Sequence, residues 1–228
     1  MDTFELKREQ LKLAPKVVLT DNFTRVKTVG GAVTLAVKNN LLGCVVVCEY
    51  PSFKVLESQT YLLSDPLPYQ SELSAYREMP AIIEAYNKLE QEPDVLFVSG
   101  QGIAHSRRLG LASHLGLALN QSTIGVTTQI KVGRLEQGKI IFRNEIAGFE
   151  IKTRNYANPI YVSPGHLISL GSTLRLVQET IKFPHKMPEP LHIARKIAKK
   201  AVEKIAEKEI NSCQDECISK EKTMLPSC

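Results

Sequence analysis

The chain reads as an α/β protein built on one mixed sheet, in which three antiparallel strands come first and helices and strands then alternate, with helices flanking the sheet. Three observations predict this. Val26 to Val37 and Leu42 to Glu49 are β-rich runs parted by Asn39-Asn40, a hairpin signal, and Lys54 to Leu62 supplies a third antiparallel strand after the Tyr50-Pro51-Ser52 break. The stretch Pro93 to His114, PDVLFVSGQGIAHSRRLGLASH, passes from a continuous apolar run at Val95–Val98 through a glycine turn to helical spacing at Leu109, Ala112 and Leu115. Helix-patterned segments at 74–89 and 172–183 then separate further short apolar runs.

In order, Glu5 to Pro15 carries Leu6, Leu11 and Leu13 among charges and reads as a short helix ended by its proline. Two prolines in Asp65-Pro66-Leu67-Pro68-Tyr69 remove donors and bias their predecessors away from helix, so a loop holds Tyr69. Pro80 should kink or delimit the helix of 74–89. Thr123 to Val126 is a buried-strand candidate, Gly133 to Ile146 a hairpin around Gln137-Gly138, and Ile160 to Val162 a last strand broken by Pro164-Gly165-His166. Ser172 to Phe183 places Leu174, Val177 and Ile181 on one helical face. Residues 1–190 thus read as one domain, 191–210 as a basic helix with Ala194, Ile197, Ala201 and Ile205 as its stripe, and 211–228 as a disordered tail.

At 228 residues and 43% hydrophobic content the chain buries one substantial core. A net charge of +5 permits a polyanionic partner without requiring one. No secretory signal and no apolar run long enough for a bilayer is present, which predicts a soluble cytoplasmic protein with no membrane contact. The five cysteines, Cys44 and Cys48 on one strand face and Cys213, Cys217 and Cys228 in the tail, lack paired C-x-x-C spacing and read as reduced thiols. A site is expected where the apolar run meets Ser99-Gly100-Gln101-Gly102, because ligands of open α/β sheets bind beyond the carboxyl ends of strands. The order of elements is compatible with a ribonuclease-H-like layer but does not select it.

Leu67-Pro68-Tyr69, Tyr76-Arg77-Glu78-Met79-Pro80, Pro93 to Gly102, His105 to Gly110, Ala112 to Gly116, Ile124-Gly125-Val126 and Pro164-Gly165-His166 occur in an order that resembles the endonuclease V family. The resemblance runs in register from about Val29 to Pro190. It implies a ribonuclease-H-like fold, recognition of deaminated purine (inosine) in DNA or RNA, and Mg²⁺-dependent cleavage of a nearby phosphodiester. It also implies roles: Tyr69 at a wedge position, Gly100 and Gly102 at turn glycines that meet an extruded base, His105, Arg107 and Arg108 in a nucleic-acid-binding segment, and Glu78 with His166 at catalytic positions.

Two-metal hydrolysis needs several carboxylates at one point, since Mg²⁺ is a hard cation held by oxygen. The family pattern has three; here Val33 stands at the first position, Glu78 keeps the second, and Ser99 stands at the third. Gln101 replaces a turn histidine and Thr128 a lysine. Glu49, pairing near Gly30, would lie on the face opposite Val33, and Asp94 lies at the far end of its strand, so neither restores the cluster. Glu78 as the one remaining metal ligand predicts weak or lost hydrolysis with nucleic-acid binding retained. An enzyme with a rearranged Mg²⁺ site and a non-catalytic scaffold, with a protein partner on helix 191–210, are the alternatives. Each residue also has a structural reading: His105 and His114 as packed histidines, Glu78 as an ion-pair partner, Tyr69 as a loop anchor, the glycines as turn formers and Lys196 to Lys208 as a solvated face.

Overall fold

The β-rich first third forms a long antiparallel hairpin, β1 (Thr28–Val37) and β2 (Asn40–Glu49), whose two-residue turn is Lys38-Asn39 with Lys38 at φ 52°. The turn sits one residue earlier than Asn39-Asn40, so Glu49 pairs with Thr28 rather than Gly30. A shift of two residues preserves the face, and Glu49 remains on the side away from Val33. β3 (Val55–Leu63) continues the antiparallel set on β2.

The computed structural model describes residues 2–154 and 157–223. On the other side of β1, the apolar run forms β4 (Val95–Ser99), parallel to β1, and β5 (Thr123–Thr127) is parallel to β4. β9 (Ile160–His166) lies antiparallel to β5, and β8 (Glu145–Ile151), β7 (Lys139–Phe142) and β6 (Arg134–Glu136) complete a nine-stranded sheet in the order β3-β2-β1-β4-β5-β9-β8-β7-β6.

Two expectations about strands are corrected. The hairpin around Gln137-Gly138 is followed by a full further strand, β8, which pairs with both β7 and β9. β9 does not break at Pro164-Gly165 but runs on to His166. Proline is tolerated there because β8 pairs only as far as Val162, so no ladder partner requires the missing N–H, while the Pro164 carbonyl accepts the Ile103 N–H at 2.9 Å.

Helices cover both faces. α2 (Ser74–Tyr86) and α3 (Leu111–Leu119) pack Ala75, Ile82, Ala85, Leu111, Ala112 and Leu115 against Ala32, Val45, Leu96 and Val98. Pro80 lies inside α2 on its exposed side and does not end it, since a single lost backbone bond is affordable where water reaches the helix. α4 (Leu170–Thr180) and α5 (Glu189–Thr223) cover the opposite face with Leu176, Val177, Leu191, Ala194 and Ala198 on Val33, Cys44, Phe97 and Val126. Cys44 and Cys48 are free and buried in this layer, and Cys228 lies outside the described residues.

The helical backbone of α5 continues from Ile210 to Thr223, where disorder was expected. Residues 211–223 contain neither glycine nor proline, and the first breaker is Pro226. The stripe Ala194, Ile197, Ala201 and Ile205 packs on the sheet, making the start of this helix part of the same core. Its close approach depends on Gly31, where a Cβ would fall 2.1 Å from the Pro190 carbonyl oxygen. α1 (Thr3–Leu13) closes the α3 side of the molecule with a buried Gln10. Among the described residues, no helix is long and apolar enough to cross a membrane.

Candidate nucleic-acid cleft

β4 ends at Ser99 while β1 continues to Val37, so a space opens beside β1 past the end of the shorter strand. The register places Ala32 against Val98; one residue further, Val33 and Ser99 stand side by side, with Cys44 beyond Val33 and Val126 beyond Ser99. Glu78, from the second turn of α2, reaches the same level of β1, where its Oε2 accepts the Thr34 hydroxyl at 2.8 Å. Val33 and Ser99 are thus neighbours, while Glu78 meets β1 at Thr34, the next residue, whose side chain alternates to the face opposite Val33.

Glu78 and Ser99, but not Val33, border a cleft of about 460 Å³ lined by Tyr69, Ser74, Glu78, Ser99, Gly100, Gln101, Thr127, Thr128, Lys131, Lys186 and Arg195, among others. Val33 is only 4% exposed and packs in the apolar layer under α5. Tyr69 is 61% exposed at the cleft. Glu78 is the one acid among the lining residues.

Other expected site residues are placed elsewhere or are already engaged. His166 is at the wrong end of the sheet: it pairs with Thr123 at the start of β5, and its Nδ1 accepts the Val18 N–H at 3.1 Å. Arg107 is not presented to a ligand. Its Nε donates to Gln10 Oε1 at 2.6 Å, and its guanidinium also binds the Glu72 carboxylate and carbonyl at 2.9 and 3.0 Å. Arg108 pairs with Glu145 at 2.6 Å. His105 is 3% exposed and binds the Glu72 carbonyl through Nε2, and burial pushes its pKa down to about 4, so it is a packed neutral histidine.

The glycine N–H groups are also used: Gly100 donates to the Val98 carbonyl and Gly102 to Ser163 Oγ, both at 2.8–2.9 Å. Gly102 is required by packing, since a Cβ there would lie 2.1 Å from the Pro164 oxygen. His114 is packed edge-on against Tyr76 at 5.2 Å between centroids. Asp94, at the opposite end of β4, accepts the backbone N–H groups of Lys27 and Thr28.

The Endonuclease V family model matches residues 11–196, and Endonuclease V of Dictyoglomus thermophilum is 34% identical over 206 residues, covering 87% of this chain and 90% of that protein. The chain belongs to the Endonuclease V family. Endonuclease V of Ciona intestinalis, solved in complex with a 24mer DNA containing an inosine followed by a ribo-adenosine, superposes with a TM-score of 0.80 at 29% identity, covering 89% of this chain and 98% of that one. The catalytic domain of human Endonuclease V gives the same TM-score at 25% identity, over 90% of this chain and 97% of that one. These likenesses confirm the expected ribonuclease-H-like mixed sheet.

The residues present do not fit the metal centre expected of an Endonuclease V. Among the described residues no three His, Cys, Asp or Glu side chains converge on a point. One carboxylate with a serine and an apolar valine beside it leaves a hard divalent ion short of anionic oxygen. Three lining residues were not anticipated from the sequence: Lys131, Lys186 and Arg195. Lys131 lies three residues past Thr128, the position read as a lost lysine, so the same loop still brings an ammonium group to the cleft. Thr34 was also missed, although its place beside Val33 on β1 was a legible signal.

Burial raises the Glu78 carboxyl above its ordinary range, against the opposing pulls of the Thr34 hydrogen bond and the Arg77 and Lys131 charges. A raised pKa in the fold means that the native state favours the protonated acid. The cost of ionisation is absent below the unfolded carboxyl pKa and reaches its full size above the raised one. Glu78→Gln, which keeps an acceptor for Thr34, should therefore raise the melting temperature at about pH 8 and leave it unchanged near about pH 3. Thermal unfolding at the two pH values checks this; a destabilised variant at the higher pH would show that the carboxylate is held by partners instead.

Proposed function

We propose that this Endonuclease V family member binds nucleic acid at deaminated (inosine) or unpaired sites through the cleft at the end of β4, with phosphodiester hydrolysis weak or lost. The observation that carries the reading is the solitary carboxylate: Glu78 is the one acid lining the cleft, and its Oε2 is already engaged by Thr34. In-line displacement at a phosphodiester needs the charge on both attacking and leaving oxygens to be stabilised. Val33 and Ser99 offer nothing for that work. Binding does not depend on those carboxylates. Tyr69, exposed on a proline-containing loop at the rim, offers a ring on which an unpaired base stacks.

Incubation with an inosine-containing strand in Mg²⁺ or Mn²⁺ tests the catalytic half. The expected result is turnover near background; robust cleavage that vanishes in Glu78→Ala overturns it and makes the chain an active Mg²⁺-dependent endonuclease. For the binding half, stacking of one base is worth about 1–3 kcal/mol, so Tyr69→Ala should weaken binding of an inosine-containing single strand by roughly tenfold. Because the side chain is mostly exposed, folding stability should be unaffected. Fluorescence anisotropy with both proteins measures the difference, and equal affinities would make Tyr69 a loop anchor only.

A further inference from the structure

The cleft that holds a single carboxylate is rich in positive charge. Lys131 comes from the loop after β5, Lys186 from the segment before α5, and Arg195 from the second turn of α5, next to the buried Ala194 that seats the helix on the sheet. Three cations thus border one concave space with one carboxylate, and that carboxylate is occupied by Thr34 on the sheet side. Among the described residues, neither Lys186 nor Arg195 has an ion-pair partner, and Lys131 donates to the neutral Ser71 hydroxyl at 2.8 Å. Arg107 and Arg108, by contrast, are each paired with a glutamate. Three like charges gathered in a concavity with a single carboxylate leave a net positive field, which concentrates on whatever anion enters.

In a two-metal nuclease, divalent ions neutralise the phosphate. We infer that here Lys131, Lys186 and Arg195 hold a nucleic-acid phosphate directly, with no divalent ion between, and so form a metal-independent phosphate clamp at the place where the carboxylates are missing. The inference rests on the nucleic-acid-binding reading given above and assigns that reading its contact. The guanidinium of Arg195 is suited to two parallel hydrogen bonds to one phosphate, and the two ammonium groups act as point charges around it. Tyr69, on the same rim, receives the adjoining base, so a strand is gripped by its backbone and by one ring face.

The test is anisotropy with a 5′-labelled single strand containing one inosine, at two salt concentrations, in EDTA and in Mg²⁺. Wild-type affinity should agree within about twofold between EDTA and Mg²⁺. The double variant Lys131→Ala, Arg195→Ala should weaken binding at least about tenfold and flatten the salt dependence by about 1.4, since each single-strand phosphate contact contributes roughly 0.7 to the slope. The control pair Lys7→Ala, Lys12→Ala, exposed on α1, should cost less than about threefold, as expected of non-specific charge alone. Circular dichroism confirms that each variant is folded. Loss of wild-type binding in EDTA, or a cleft pair that loses no more than the control pair, overturns the clamp and leaves nucleic-acid binding itself standing. Should wild type bind no strand at all, the binding reading falls, and pyrophosphate in EDTA then decides the clamp. Thermal stabilisation by pyrophosphate that the cleft double variant lacks supports the clamp; no stabilisation of wild type overturns it.

Discussion

Replacing Val33 and Ser99 together by aspartate should make the stability of this protein depend on Mg²⁺. Val33 is buried in the apolar layer, Ser99 stands beside it on β4, and Glu78 reaches the adjacent Thr34 from α2. Three carboxylates gathered there without a counter-ion would be partly desolvated and mutually repelling, a situation that costs about 3–5 kcal/mol. For a domain of this size, that corresponds to a fall of roughly 10 °C in melting temperature. A divalent ion at about a hundred times its dissociation constant returns about 2.7 kcal/mol through binding to the native state alone. Thermal unfolding in EDTA and in Mg²⁺ should thus give coincident curves for wild type and well-separated curves for V33D/S99D. Arg195 should blunt the response by pairing with the new carboxylates, so adding Arg195→Ala widens the gap between the two conditions. A wild-type curve that already moves with Mg²⁺, or a double variant equally unstable in both, would mean that the cleft is not built around this point.

The predictability of that experiment reflects what was local in the sequence. The hairpin of β1 and β2, the apolar run of β4 and the glycine turn after it are encoded within a few residues each, and their relative register follows from side-chain alternation. Val33, Glu78 and Ser99 are assigned to one site by the resemblance to the endonuclease V family rather than by register, and the even register shift that moved Glu49 from Gly30 to Thr28 left its face unchanged. The positive side of the cleft was not local. Lys186 and Arg195 follow Ser99 by 87 and 96 residues, and only the fall of α5 onto β1 at Gly31 brings them back. Read along the chain, Arg195 is one more charge beside a lysine-rich face. The strand β9 was shortened for a related reason: Pro164 forbids a ladder bond, but whether a neighbour asks for that bond depends on where β8 ends. His166, Arg107 and Arg108 show the converse limit. A motif match gave them roles, while their partners, Val18, Gln10, Glu72 and Glu145, lie 35 to 148 residues away along the chain and were invisible to it.

Arg107 supplies the sharpest test of that limit, because its two readings predict opposite phenotypes. As a phosphate contact, its loss would weaken nucleic-acid binding and leave the fold alone. In the structure its side chain is 12% exposed and clasps α1 to the segment before α2. Gln10, 0% exposed, donates to the Glu72 and Leu109 carbonyls and has Arg107 as the donor to its own oxygen. Arg107→Ala would leave that amide oxygen buried and unpaired, which costs about 1–3 kcal/mol. The ion pair with the half-exposed Glu72 adds little, since solvent screens it. His105 shares the clasp, with its Nδ1 accepting the Arg107 N–H at 3.3 Å. Its pKa of about 4 is set first by burial and second by the Arg107 charge. A histidine whose folded pKa is depressed contributes stability that is present above its unfolded value near 6.5 and is lost as pH falls toward about 4. Arg107→Ala should therefore lower the melting temperature by roughly 5 °C at neutral pH, keep most of the acid sensitivity between those values, and leave the salt dependence of oligonucleotide binding unchanged. Calorimetry across that pH window, with anisotropy at two salt concentrations, separates the two roles. A variant of wild-type stability whose salt slope drops by about 0.7 would return Arg107 to the phosphate and remove the clasp from the account of this fold.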